Sequence, residues 1–170
     1  MRSNQIEREL KVRFYLSIGV PKSIIGDYMG MTKKQITLVV SELSADGIEY
    51  GNKIRKFRSP GSVMRTRKVS IEASLWATLY LKLVGADEIY QALDLKKFVE
   101  SYSLYIDYRV EVGLLAVDKL SIPEMLCFAE ALVEKEALIT YCKECGTATY
   151  LLTNQRFDET CPACYLDDCA

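Results

Sequence analysis

Apolar positions in the first third of the chain recur at helical spacing, and the breaks between them carry residues that stop and restart helices. Over residues 5–18, Ile6, Leu10, Phe14 and Ile18 stand four apart while Arg8, Lys11 and Arg13 fall largely on other faces, which predicts an amphipathic helix with that stripe as its apolar side. Gly19-Val20-Pro21 ends it, and the proline opens a second helix that runs to about Tyr28. Met29-Gly30-Met31 makes a tight turn. Thr32 then stands as N-cap with Gln35 three residues on, a capping box for a third helix with Ile36, Val39, Val40 and Leu43 on one face, stopped at Asp46-Gly47.

From Ile48 to Lys68 the helical period disappears, and GNKIRKFRSPGSVMRTRK reads as strand or ordered loop around a Ser-Pro-Gly-Ser turn. Helical patterns resume over about 70–84, where Leu75, Leu79 and Leu83 accompany Trp76 and Tyr80, and again over about 94–108. Ser121-Ile122-Pro123-Glu124 is a second capping box, and its helix runs to about Lys135. Tyr102, Tyr105 and Tyr108 mark apolar faces with polar tips, suited to a core or an interface. Beyond them, short β-prone pieces lie between pairs of cysteines. The expected fold is mainly α: a helix-turn-helix-like region over 1–47, a basic linker over 48–69, a helical core over 70–137 and a small four-cysteine zinc ribbon over 138–170.

Composition refines this picture. The 170 residues are 49% hydrophobic, enough to bury a core as one domain or two small ones. No apolar run approaches the roughly 18 residues of a membrane span, and the charged N-terminus is unlike a secretory signal, so a cytoplasmic protein is expected. The net charge of -1 hides an asymmetry: 14 basic and 6 acidic residues up to Lys68, then 8 basic and 17 acidic. A basic region followed by an acidic one suggests that the first meets a polyanion and the second meets protein or solvent.

There are six cysteines and no histidine, so any metal must be held by sulfur or oxygen. Cys142-Lys143-Glu144-Cys145 and Cys161-Pro162-Ala163-Cys164 form two CxxC pairs 15 residues apart, the spacing of a four-cysteine zinc site. Each knuckle can turn both sulfurs toward one point, Gly146 suits the tight turn, and Lys143 with nearby backbone N–H groups offsets the thiolate charge. Four thiolates close the coordination sphere, so the expected zinc, one per chain, is structural. Two redox-active pairs and two disulfides are the alternatives, each lacking the surroundings or compartment it needs. Of the remaining cysteines, Cys127 reads as a small core residue and Cys169 as an exposed thiol near the end of the chain. With no histidine, no glycine-rich phosphate loop and no open metal position, an enzyme is not expected.

Residues 21–40 resemble the general helix-turn-helix pattern, with small Gly26 at the helix crossing and Gly30 in the turn. On that reading Thr32, Lys33, Lys34, Thr37 and Ser41 face outward, where a major groove could be read. A helical hairpin that only packs or dimerises fits the same pattern. The basic stretch adds Lys53, Arg55, Lys56, Arg58, Arg65, Arg67 and Lys68, whose spacing of two within 53–55 and 65–67 would align cations on one side of an extended chain, toward phosphates. Solvated charge is the bland alternative.

Taken in order, these features resemble the FlhC family, the zinc-containing subunit of the bacterial flagellar master regulator. The resemblance runs from the opening helices through LVVSELSADG, the basic segment, SIEASLWATLYLKLVG and FVESYSLYIDY to AEALVEKEALITYCKECG and CPAC. It implies that Cys142, Cys145, Cys161 and Cys164 are the zinc ligands. It also implies a transcriptional activator in a hetero-oligomer with a small helical subunit of the FlhD type, binding promoter double-stranded DNA and contacting RNA polymerase. Relatives on conjugative elements switch on transfer genes instead of flagella. The acidic ending Leu-Asp-Asp-Cys-Ala stands where a longer basic tail is expected, which moves the expected DNA contact to the N-terminal basic region. A zinc-stabilised protein-interaction subunit without DNA contact is the other expectation.

Overall fold

The computed structural model describes residues 2–47, 59–113 and 119–154, together with Cys161 and Cys164. The chain divides into two compact units, Met1–Lys56 and Phe57–Ala170. The architecture is mainly α, with seven helices and one two-stranded sheet among the described residues.

The first unit holds α1 (Arg2–Ser17), α2 (Lys22–Met29) and α3 (Lys33–Ala45). Val12, Tyr15, Leu16, Val20, Ile24, Ile25, Ile36, Val39, Val40 and Leu43 are its buried core. The expected face of α3 is therefore the buried one, but that of α1 is not. Ile6, Leu10 and Phe14 are 59%, 61% and 51% exposed. The helix is apolar on opposite sides, and the side that packs is the one whose line continues into Val20 and meets α2 and α3. Arg13 fastens α1 to α3, lying 2.7 Å from Glu42 and 3.3 Å from Asp46 while also reaching Glu9 on its own helix.

In the second unit, the stretch expected as strand or loop contains helix. Pro60–Val63 forms one turn, α4, because proline is preset for a helix start, and Val63 and Met64 are buried. The next helix, α5 (Arg67–Val84), begins before the basic stretch ends. Arg65 lies in the link between them, whereas Arg67 and Lys68 belong to a helical turn, so the expected alignment of Arg65 and Arg67 along an extended chain does not form. Thr66 is the reason the helix starts there: its hydroxyl accepts from Val69 N.

The buried line of α5 comprises Ala73, Trp76, Ala77, Tyr80 and Val84, and the expected leucines at 75, 79 and 83 are only half-buried. Helix α6 (Leu95–Glu111) packs on α5, capped by the Asp94 carboxylate, which accepts from Lys97 N at 3.0 Å. Trp76 stacks on Tyr80 at 5.2 Å, Phe98 meets both edge-on, and the buried indole N–H donates to Ser101 Oγ at 2.9 Å. Behind this cluster lies a buried charge pair. Arg109 donates to Glu72, whose second oxygen accepts from Tyr105 OH at 2.6 Å, and Tyr105 in turn accepts from Leu120 N.

Helix α7 (Ile122–Val133) starts where expected, with the Glu124 carboxylate reaching back to Ser121 N and Oγ at 2.7 and 2.6 Å. Two residues beyond its last turn stands Lys135, a non-glycine residue at φ 60. There follows an antiparallel hairpin of β1 (Ala137–Tyr141) and β2 (Ala148–Leu152), with Ile139 opposite Tyr150. Helix α5 lies along β2 and satisfies its outer edge, with Ser74 Oγ accepting from Tyr150 N and Thr78 Oγ1 donating to Ala148 O. On the opposite edge Tyr90 OH accepts from Ile139 N at 2.9 Å.

Candidate functional site

The hairpin carries the cysteine cluster. Strand β1 runs directly into Cys142, whose N–H donates to Thr147 O, and Gly146 at φ 72 donates back to Cys142 O, so the chain turns within six residues and re-enters as β2. A positive φ at that position suits glycine, as the sequence suggests. This knuckle presents Cys142 and Cys145 to Cys161 and Cys164.

The four sulfurs lie within 4.8 Å of one another, with Cys142 and Cys164 3.8 Å apart and Cys145 and Cys161 3.2 Å apart. Sulfurs about 2.3 Å from a tetrahedral metal stand about 3.8 Å from each other, whereas a disulfide needs about 2.05 Å. Both of these approaches join one CxxC to the other. The cluster could thus hold a metal ion in a four-sulfur cage, and its geometry is not that of disulfides.

The electrostatics of the cluster are uneven. Thr147 Oγ1 lies 3.2 Å from Cys145 Sγ. Hydrogen bonds from the Thr147 hydroxyl and backbone, then from Cys161, lower the Cys145 thiol to about 6. Cys164 is pushed the other way, because its S–H hydrogen-bonds to Cys145 and then Cys142 and ionisation would forfeit those bonds, with the charge of Cys142 adding to the effect. A cation among them removes that conflict. Cysteine spacing does not single out Thr147, although a hydroxyl two residues after a CxxC is a legible candidate to support a thiolate. Lys143 is exposed, and Cys127 is buried on α7 as a core residue. Cys169 lies outside the described residues.

The helix-turn-helix expectation finds local support in α2 and α3. A Cβ built on Gly26 would sit 3.2 Å from Met31 O and 3.3 Å from Ile36 Cδ1, so the two helices meet where only a small residue fits well. Gly30 takes the left-handed conformation at the end of α2, and the Arg8 guanidinium donates to the carbonyls of Met29 and Gly30. Thr32 and Gln35 form the full capping box, at 2.9 and 3.4 Å. Lys33, Lys34, Thr37 and Ser41 are exposed, opposite the buried face of α3.

Among the basic residues expected to face DNA, Arg65, Arg67 and Lys68 are exposed, and Lys53, Arg55, Lys56 and Arg58 lie outside the described residues. The structure adds a detail that spacing does not show. Helices α3 and α5 both begin with a threonine cap followed by two cations, Lys33-Lys34 and Arg67-Lys68, and neither has an acid in its first turn. Cations at a helix N-terminus oppose the macrodipole, at a cost of about 0.3–1 kcal/mol each.

No helix among the described residues is long and apolar enough to cross a membrane. No model of a known protein family matches the chain, and no curated protein matches it.

Proposed function

We propose that this chain is the DNA-binding subunit of a bacterial transcriptional activator of the FlhC type, with one structural zinc held by Cys142, Cys145, Cys161 and Cys164. It acts in the cytoplasm, in a hetero-oligomer with a small FlhD-like helical subunit, to bring RNA polymerase to promoters of flagellar or conjugative-transfer genes. The observation that carries the DNA contact is the pair of cations opening both α3 and α5. Phosphates bind at helix N-termini because the macrodipole there favours an anion, and paired cations at the same place add to that preference. The close α2–α3 crossing at Gly26 and the exposed outer face of α3 fit a recognition helix. The all-sulfur donor set fits zinc, and a closed cage assigns the metal to folding and not to chemistry.

Co-expression with the small open reading frame beside this gene, followed by metal analysis and footprinting on upstream DNA, tests the proposal. Zinc near one per chain and a protected promoter are expected, with binding that weakens steeply with salt. Four to six phosphate contacts correspond to a log–log slope of roughly -4 to -5. Replacing Arg55, Lys56 and Arg58 together by Ala is expected to weaken binding, and unchanged affinity would remove that segment from the interface.

A second reading, a protein-interaction subunit without DNA contact, is favoured by the exposed apolar line of Ile6, Leu10 and Phe14 on α1. A partner that co-purifies through this face, with no footprint on any upstream DNA, would support it.

A further inference from the structure

The outer face of α3 contains a residue that charge and polarity do not bring out. Leu38 is 62% exposed and lies on the side opposite buried Ile36, Val39, Val40 and Leu43, among Lys34, Thr37 and Ser41. A single exposed leucine is ordinary on a protein surface. Its neighbours make this one informative. Thr37 Oγ1 donates to Lys33 O at 2.8 Å, and Ser41 Oγ donates to Leu38 O at 2.7 Å. Both hydroxyl protons are spent inside the helix, so Thr37 and Ser41 keep acceptor capacity only. The face therefore offers one strong donor, the Lys34 ammonium, two hydroxyl acceptors and one large apolar group between them.

We infer that Leu38 is a specificity residue that contacts the C5-methyl group of thymine in the major groove, so that α3 selects T·A pairs. This rests on the DNA-binding reading and specifies what the helix reads. A T·A pair presents the thymine methyl, then the O4 acceptor, then the adenine N6–H donor, so an apolar group with an ammonium donor and acceptor hydroxyls about it complements that edge. A G·C pair offers a donor but no methyl. The charge of the helix suits the same occupant. Its first two turns carry Lys33 and Lys34 with no acid, and the acid further along, Glu42, is held by Arg13. From Lys34 to Ser41 the helix rises about 10 Å, the length of about three base pairs.

The test is selection from a random duplex library with the full chain, alone and with its co-expressed small subunit, followed by thymine-to-uracil exchange in the selected site. Uracil pairs like thymine but lacks the methyl. Wild-type protein is expected to enrich T at one or two positions and to lose about three- to fivefold in affinity when that T becomes U, the size of one buried methyl contact. Leu38→Ala is expected to bind the T and U sites equally. Because Leu38 is exposed, the variant keeps its core, and circular dichroism verifies this. A T-to-U penalty that is absent from the wild type, or identical in Leu38→Ala, overturns the role of Leu38 and leaves the DNA-binding reading standing. Selection of no duplex at all overturns both.

Discussion

Arg109 and Glu72 are 37 positions apart and both buried, at 2% and 7% exposure, where an isolated charge is costly. Their pairing is made tolerable by Tyr105, which fills the second carboxylate oxygen and also accepts from Leu120 N. Removing one partner strands the other, so Arg109→Met is expected to destabilise the second unit by about 3–5 kcal/mol. Glu72→Leu added to it should restore most of that loss. Urea denaturation of the single and double variants measures both. Nothing local announces this pair, because Glu72 reads as an ordinary polar position on a helix and its partner is on another helix. The reverse holds at Thr32 and Glu124, whose capping roles depend on residues three positions away and are legible in the sequence alone.

Periodicity finds the helices but does not always choose their buried sides. In α1 both the line of Ile6, Leu10 and Phe14 and the line of Val12, Tyr15 and Leu16 are apolar, and only the position of α2 and α3 decides between them. In α5 the large leucines draw attention, yet small Ala73 and Ala77 and hydroxyl-bearing Ser74 face inward, because close approach of β2 and α6 requires small residues there. The start of α5 is hidden by Arg67 and Lys68, which look like a continuation of the basic linker. At the end of α7, Lys135 holds a left-handed conformation that costs a side-chain residue about 1–2 kcal/mol. Lys135→Gly is expected to raise stability by about 0.5–1 kcal/mol, after the entropy glycine loses on folding, and thermal melting checks it. The hairpin depends on a different element of support. Chelation of the proposed zinc, or Cys161→Ser, is expected to lose most of the roughly 10–16 kcal/mol that such ions contribute to small folds, and the near-UV signal of Tyr150 on β2 reports the loss.

At the scale of the molecule, the cysteine spacing is the most legible feature and the charge asymmetry the next. The four sulfurs converge as expected, while the cations at Arg67 and Lys68 are presented by a helix start instead of an extended chain. Alkaline stability follows from the aromatic core. Burial raises the Tyr80 phenol to about 12, and raises Tyr105 and Tyr150 as well. A phenol with a folded pKa above its unfolded value near 10 contributes fully below pH 10, and that contribution is lost as pH rises through the folded value. Unfolding of the second unit between about pH 10 and 12 is therefore expected, with the tyrosinate absorbance of these residues appearing as near-UV circular dichroism disappears. Tyr80→Phe should remove its share of the pH dependence. The hydroxyls of Ser74, Thr78 and Tyr90 have a consequence for assembly. A strand arriving at either edge of the hairpin meets a central backbone group that is already engaged. Growth of the sheet by strand addition, the usual route to domain-swapped or fibrillar aggregates, is thus blocked at its midpoint on both sides.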